Sequence, residues 1–345
     1  MQGYSVVWYN FSVRYFVQFT AGLGELVADA LHGQLVGMRV VYADDSAMIV
    51  DASDSPQRVA ALPYVKNAFE LIASVARNGL DGSVAWLARE LRGIRFPRSQ
   101  DRTRGFRLMF HIDGTLASVS PQSRAAMERA VAAGTGRHLQ PRGNCQEYWI
   151  IGRTSLGDLL LGARLPKAVP AVKERGALSH ELAAILVAAS GPKPRDTFLD
   201  PFGGSGSLVL ARLDFPLRRA WYSDIRLADD RAGLNARLVR DDRVRLLDED
   251  ALELPSISDG SVDVIVTDPP WGEFQAMDVP YSEFAEGLAA SFARILHPVR
   301  GRYVVLVNRA NAGVLGKELS GAGIPPDTFH EILVSGHPAT VFVRR

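Results

Sequence analysis

Two loops hold the residue types that chemistry needs. The first is Asp200-Pro201-Phe202-Gly203-Gly204-Ser205-Gly206-Ser207. A short apolar run, Thr197 to Leu199, leads into it, and helical spacing from Leu208 to Leu213 follows at once. Glycines there let a ligand approach the backbone, and a helix start presents free N–H groups to an anion. The loop is neither G-x-x-x-x-G-K-[ST] nor a clean G-x-G-x-x-G, so it speaks for a nucleotide-like cofactor without favouring ATP or NAD. Asp224 stands 24 residues beyond Asp200, after the run Ala220 to Ser223. A carboxylate at that position can accept hydrogen bonds from two ribose hydroxyls. Asp250-Ala251 follows a third run, Val244 to Leu247, and is suited to an adenine amino group.

The second loop is Asp268-Pro269-Pro270-Trp271-Gly272, straight after the apolar Val262 to Thr267. Two prolines stiffen the backbone and remove N–H donors. The Asp268 carboxylate and the Pro269 carbonyl remain as acceptors, and Trp271 adds a flat aromatic face. Such a site suits a planar ring carrying an exocyclic amine, the ring stacked on the indole and the amine donating to the acceptors.

The elements that must position these loops alternate. From Leu178 onward, helical stretches (182–189, 208–213, 232–240, 284–296) separate short apolar runs (197–199, 220–223, 244–247, 262–267, 303–307), and 340–343 closes the chain. Strands separated by helices give a parallel, doubly wound α/β sheet, whose ligands sit at the carboxyl ends of the strands. The first half reads as α+β. A strand at 15–19, a helix over Leu23 to Leu31 stopped by Gly33, a hairpin of 38–42 with 47–52 and an amphipathic helix at 65–76 make one unit. A helix at 84–91, a strand at 106–112, a helix at 123–133 and a strand at 148–151 make a second, and the proline-bearing stretch 165–177 reads as a linker.

At 345 residues, 47% hydrophobic and 22% charged, the chain is a globular protein of two or three domains, not a disordered one. No apolar run approaches the roughly 20 residues of a membrane span. One cysteine, Cys145, excludes an internal disulfide framework and a Cys-rich zinc site, and no metal is expected. Residues 1–24 lack a basic stretch followed by an apolar core, so a cytoplasmic location is expected. The net charge of +1 hides an asymmetry. Residues 1–177 carry 21 Lys+Arg against 15 Asp+Glu, and residues 178–345 carry 18 against 23. A basic half joined to an acidic half points to a polyanion held by the first while the second does chemistry. The densest positive stretch holds Arg89, Arg92, Arg95, Arg98, Arg102, Arg104 and Arg107, with Phe96 and Phe106 among them, and is the candidate phosphate-contacting surface.

Asp200-Pro201-Phe202-x-Gly204-Ser205-Gly206 followed by Asp268-Pro269-Pro270-Trp271-Gly272 resembles the class I S-adenosylmethionine-dependent methyltransferases that act on exocyclic amines. With the prelude Lys173-x-x-Gly176-Ala177-Leu178-Ser179-His180-Glu181-Leu182-Ala183, the closing Gly336-His337-Pro338-Ala339-Thr340 and a basic first half, the chain is similar to the THUMP-domain RNA guanine-N2 methyltransferases. Departures from the family pattern are Gly203, where Cys is common, Ser207, where Thr is common, and Trp271, where Tyr or Phe is commoner.

The resemblance implies a ferredoxin-like unit over 1–80, a THUMP RNA-binding domain over 81–164, the linker, and a Rossmann-like methyltransferase domain over 178–345. It implies S-adenosyl-L-methionine held by Leu178, Asp200, Phe202, Gly203, Gly204, Gly206, Asp224, Ile225, Asp250 and Ala251. Catalysis falls to Asp268, Pro269, Pro270 and Trp271, and RNA contact to the arginine stretch. The implied product is N2-methylguanosine, in tRNA first and in ribosomal RNA second. Adenine-N6 methylation of RNA or DNA is the alternative, because D-P-P-W also occurs in adenine enzymes. A catalytically silent RNA-binding protein is the other.

Overall fold

The computed structural model describes residues 13–94, 96–97, 104–167, 177–230, 233–272 and 279–345. Arg95, Arg98 and Arg102 of the arginine stretch, residues 168–176 of the expected linker and Ala232 of the expected helix 232–240 lie outside the described residues. The chain divides into two compact units, Met1–Gln18 with Leu31–Ala168, and Phe19–Ala30 with Val169–Arg345.

The first unit is built on β1 (Val13–Gln18), the last turn of α1 (Gly24–Gln34, whose residues up to Ala30 group with the second unit), β2 (Arg39–Ala43), β3 (Ala47–Ala52), α2 (Pro56–Ala60) and β4 (Asn67–Ala76). It continues with α3 (Leu80–Glu90), β5 (Gly105–Ile112), β6 (Thr115–Leu116), α4 (Pro121–Thr135), β7 (His138–Leu139), β8 (Gln146–Gly152) and β9 (Asp158–Arg164). One nine-stranded sheet runs β2-β3-β1-β4-β9-β8-β5-β6, with β7 against β5. The first four strands are antiparallel neighbours throughout, while β5 and β8 run parallel. The β4–β9 ladder carries the sheet across residue 80, so the two expected N-terminal domains share a sheet. Asp44 turns the β2–β3 hairpin by accepting from the backbone N–H groups of Ser46 and Ala47. The sheet packs on α3 and α4 through Val84, Leu87, Phe106, Phe110, Met127, Val131, Tyr148 and Ile150.

One sequence expectation fails here. The stretch 65–76 is not a helix: Asn67–Ala76 form strand β4, led in by an irregular Val65-Lys66. The β4–β9 register shifts between Leu71 and Ala73, so one extra residue is inserted. Its buried positions therefore fall at Ala68, Phe69, Ile72 and Val75, a spacing of three to four that imitates a helix. The stretch 165–167 is also less free than a linker. Leu165 is buried, its N–H donates to the Ala68 carbonyl at 2.8 Å, and Lys167 Nζ donates to the Pro63 and Val65 carbonyls.

In the second unit α5 (His180–Ala189), β10 (Thr197–Asp200), α6 (Ser207–Arg212), β11 (Arg219–Ser223), α7 (Leu227–Asp230), α8 (Ala236–Arg240) and β12 (Val244–Leu247) come first. Then come β13 (Val264–Thr267), α9 (Tyr281–Ile295), β14 (Arg302–Asn308), α10 (Arg309–Gly321), β15 (Thr328–Val334) and β16 (His337–Arg344). The sheet order is β12-β11-β10-β13-β14-β16-β15, parallel except for the final hairpin. It is the alternating α/β sheet expected, extended by α10 and β15, which the sequence reading omitted. The helix expected at 232–240 begins only at Ala236, because the Asn235 side chain caps it by accepting from the Arg237 N–H at 2.9 Å. Leu199, Ile265, Phe284, Leu288, Phe292, Ile295, Tyr303, Leu315 and Phe342 form a continuous core against α9 and α10. Among the described residues no helix is long and apolar enough to cross a membrane.

At the amino-terminal end of the strands, Asp196 holds two buried guanidiniums, Arg212 at 3.2 Å and Arg302 at 2.8 Å. Removing the shared carboxylate would strand two buried cations, which typically costs about 3–5 kcal/mol. Asp196→Ala should lose that much stability in urea denaturation. A loss below ~1 kcal/mol would show that the network is structurally dispensable.

Candidate functional site

Four neighbouring parallel strands, β12, β11, β10 and β13, have their carboxyl ends at the same edge of the sheet, and each ends in or is followed by one of the acids singled out in the sequence. Strand order reverses at β10, since β11 pairs on one side of it and β13 on the other. Crevices in open α/β sheets form at such a point.

Asp200 is the last residue of β10 and is 1% exposed. Its Oδ1 accepts from Thr267 Oγ1 at 2.8 Å and from the Phe202 N–H at 3.3 Å. The carboxyl thus ties the end of β10 to the end of β13 and starts the glycine turn. Burial pushes its pKa up to about 7, against those two hydrogen bonds, and the charges of Asp268 and Asp224 push the same way.

The turn itself is fixed by β11. The Gly203 N–H donates to the Ser223 carbonyl at 2.8 Å, and Tyr222 Oη donates to the Gly204 carbonyl at 2.7 Å. A Cβ on Gly203 would lie 2.2 Å from the Tyr222 ring. Only glycine fits there, because the tyrosine ring fills the space a side chain would need. Gly206 begins α6 at φ +76°, where a β-carbon would be strained. Asp224 spans the same turn, its Oδ2 accepting from the Gly204 N–H at 2.8 Å and its Oδ1 from the Arg226 N–H at 2.9 Å. Beside it Ile225 is 67% exposed, a large apolar side chain left open at the strand end. Asp250 Oδ1 caps the Leu252 N–H at 2.9 Å, and Ala251, itself buried, is held through its carbonyl by Ser291 Oγ at 2.8 Å. Leu178 lies half-buried just before α5.

Asp268 follows β13. Trp271 Nε1 donates to its Oδ1 at 2.9 Å. The indole therefore holds the carboxylate through an N–H, a role beyond the stacking face expected for it. The Trp271 carbonyl in turn accepts from Asn311 Nδ2 on α10 at 3.0 Å. Packed protein pushes the Asp268 carboxyl up to about 7, the Trp271 hydrogen bond opposing this. Pro269 is buried and Pro270 half-buried between these anchored residues. The site thus has one side-chain oxygen of Asp268 fixed by the indole and a second available to a donor.

Sequence reasoning missed Thr267, Tyr222 and Asn311. Thr267 and Tyr222 are visible only as strand residues one place before Asp268 and two places before Asp224. Asn311 gave no signal, because α10 carries two interior glycines and no clear apolar stripe.

The arginine stretch lies in the first unit. Arg89 in the last turn of α3, Arg92 in the 3₁₀ turn Leu91–Gly93 and Arg104 just before β5 are exposed. Arg89 pairs with Glu90 at 3.4 Å, a contact of little energetic weight. Arg107 is different: it pairs closely with the buried Glu147 on β8, which also accepts from Trp149 Nε1 and Arg164. That arginine belongs to the framework of the sheet.

A family model described as UPF0020, RMKL-like, methyltransferase domain, matches residues 170–212. Among solved structures, TrmN from Thermus thermophilus superposes with a TM-score of 0.68 at 19% identity, over 96% of this chain and 98% of that one. SMU.472, solved with SAH bound, gives 0.62 at 12% identity over 98% and 100%. A predicted N6-adenine-specific DNA methylase from Listeria monocytogenes str. 4b F2365 gives 0.60 at 13% over 97% and 96%. Among curated proteins none matches the sequence. The likenesses, over 96–98% of this chain, establish that both units share the fold of these proteins, with a Rossmann-like second unit.

A carboxyl with its pKa raised above the ordinary value of 3.8 leaves the native state holding more protons than the unfolded chain between about pH 4 and 7. Stability must fall as pH rises through that window. Asp268→Asn removes one such group while keeping an acceptor for Trp271. It should stabilise the protein by ~1–4 kcal/mol at pH 8 and by nothing at pH 4. Equal thermal melting shifts at both pH values would show that the carboxyl is not desolvated.

Proposed function

We propose that this chain is an S-adenosyl-L-methionine-dependent RNA methyltransferase forming N2-methylguanosine, with tRNA as the first substrate to test and ribosomal RNA as the second. The reading rests above all on Asp268, a desolvated carboxylate between a buried strand end and two prolines, one oxygen held by Trp271. The methyltransferase-domain match and the Rossmann-like fold support the reaction class.

The cofactor is S-adenosyl-L-methionine, and the strand-end residues fit it. The glycine turn has no side chain to block a ligand over Gly204, and Ile225 leaves an open apolar surface beside Asp224. Phe202, Gly203, Gly204 and Gly206 would cradle the amino-acid end. Asp224 would take the ribose hydroxyls, Ile225 and Ala251 the faces of the adenine ring, Asp250 its amine, with Leu178 and Asp200 closing the site. When bound, the cofactor supplies an electrophilic methyl group.

The chain's own work is on the acceptor amine. An exocyclic nitrogen is a poor nucleophile because its lone pair is delocalised into the ring. Hydrogen bonds from that amine to the free oxygen of Asp268 and to the Pro269 carbonyl favour a pyramidal nitrogen and fix its direction. Pro269 and Pro270 keep the acceptors rigid. The proton released on transfer has Asp268 as its nearest base, and a carboxyl near pH 7 is matched to that task.

The first four strands, in β-α-β-β-α-β sequence with spatial order 2-3-1-4, support a ferredoxin-like reading of 1–80. The α3, α4, β5, β8 and β9 assembly supports a THUMP reading of 81–164, with 165–177 joining it to 178–345. The basic first half then supplies RNA affinity, and Arg89, Arg92, Arg95, Arg98, Arg102 and Arg104 are its proposed phosphate contacts. Adenine-N6 methylation is the second reading, favoured by Trp271 in the D-P-P-W loop and by the Listeria likeness over 97% of the chain.

Incubation of unmodified tRNA with the protein and S-adenosylmethionine, followed by digestion to nucleosides, should yield N2-methylguanosine. N6-methyladenosine alone would replace the guanine reading with the adenine one. In the same assay Asp268→Ala should reduce turnover at least 100-fold while sparing cofactor affinity, a rough scale for losing a positioned acid–base group.

Binding energy from one flipped base cannot hold a folded RNA, so phosphates must carry most of it. Replacing Arg89, Arg92 and Arg104 together with Ala should weaken tRNA binding. It should also flatten the slope of log K against log salt by about 0.7–0.9 per lost contact. An unchanged slope would make these arginines an ordinary solvated face.

A further inference from the structure

Pro269 and Pro270 bring no backbone N–H, so the loop that carries Asp268 relies on side chains to hold its course. Two such contacts run in series. Trp271 Nε1 donates to Asp268 Oδ1 at 2.9 Å, and Asn311 Nδ2 donates to the Trp271 carbonyl at 3.0 Å. Asp268 is thus oriented by a residue that is itself held from a different element.

That element is α10. The Asn308 side chain caps it by accepting from the Ala310 N–H at 2.6 Å, and Leu315 and Leu319 anchor it in the core of the second unit. Asn311 sits half-buried in its first turn. Asparagine is a poor residue inside a helix, because its amide competes for backbone groups. Here that amide is directed at the carbonyl of another loop. Gly272 follows the held carbonyl at φ +74°, so the chain changes direction immediately after the contact.

We propose that Asn311 is a positioning residue for the Asp268 carboxylate, acting through Trp271: by fixing the Trp271 backbone it keeps the indole N–H on Oδ1 and leaves the other oxygen to the acceptor amine. The proposal rests on the role given to Asp268 above.

The contact has an electrostatic consequence. The indole N–H favours the charged carboxylate, against the burial that pushes its pKa up to about 7. A looser indole therefore leaves the carboxyl harder to ionise. From the end of β10, Asp200 faces it, the charge of Asp268 opposing the ionisation of Asp200. Strand β14 ends in the neutral Val307 and Asn308. On α10, Arg309 is engaged by Glu331 at 3.4 Å and by the Ile332 carbonyl. The first turn of α9 carries Tyr281 and the exposed Glu283. A substitution at 311 alters none of these groups.

The test uses two variants. Asn311→Ala removes the donor and favours a helix, and Asn311→Leu removes it while keeping the bulk. The first readout needs neither RNA nor cofactor. At pH 8, Asp268→Asn should raise the melting temperature more in either Asn311 variant than in wild type, by about 2–4 °C for a tenfold loss of acidity at Asp268. At pH 4, where the carboxyl is protonated in the native state, that difference should vanish. A gain at pH 8 within about 1 °C of the wild-type gain overturns the proposal, whatever the stability of the Asn311 variants themselves. The second readout is methylation of unmodified tRNA. There kcat should fall about 10- to 100-fold with KM for tRNA within about twofold, the signature of a displaced reacting group. The loss should be deeper near pH 6.5 than near pH 8.5, because a less acidic carboxyl ionises later. A loss uniform over that range, or kcat near wild type, overturns the proposal. Wild-type protein that methylates no RNA overturns the methyltransferase reading instead, and the melting comparison still decides whether Asn311 holds the Asp268 carboxyl.

Discussion

The hydrogen bond from Thr267 to Asp200 is the contact on which the candidate site depends. It joins the ends of two adjacent parallel strands at the point where strand order reverses. One strand runs on into the glycine turn and the other into the Asp268 loop. A single buried contact therefore sets the spacing between the two loops. It also explains a costly arrangement, because an acid held this deep is ionised only against desolvation. The negative charge of Asp268 adds to that burial in raising the Asp200 carboxyl.

Around that contact each loop is anchored twice. The glycine turn is tied to β11 through Gly203 and through the Tyr222 hydroxyl. The Asp268 loop is tied internally by the Trp271 indole and to α10 by Asn311. The side chains of the candidate site are thus held by second contacts, the arrangement that the proposed alignment of an amine calls for. The first unit is organised on a different rule. Its sheet spends Arg107 and Arg164 on Glu147 and Arg153 on Asp44, leaving the arginines at the helix ends and turns exposed.

Much of the second unit was legible because parallel strands buried on both faces give plain apolar runs ended by Asp. All four strand-end acids could be ordered along the chain without coordinates. Strand β4 was illegible for a definite reason: its bulge inserts a residue and turns a period of two into an apparent period near 3.6. Helix α10 was missed because glycines dilute its pattern, although Asn308 caps it well. Contacts such as Trp271 to Asp268 were beyond sequence reasoning, since they depend on a rotamer and not on residue type or spacing.

The packing of Tyr222 over Gly203 constrains how this protein can change. A side chain at 203 collides with the ring, and a smaller residue at 222 opens a void beside a bare glycine. Either single change is penalised by packing, while both together exchange one filled space for another. The two positions are therefore one packing unit, and a side chain at 203 can be accommodated only with something slimmer than tyrosine at 222.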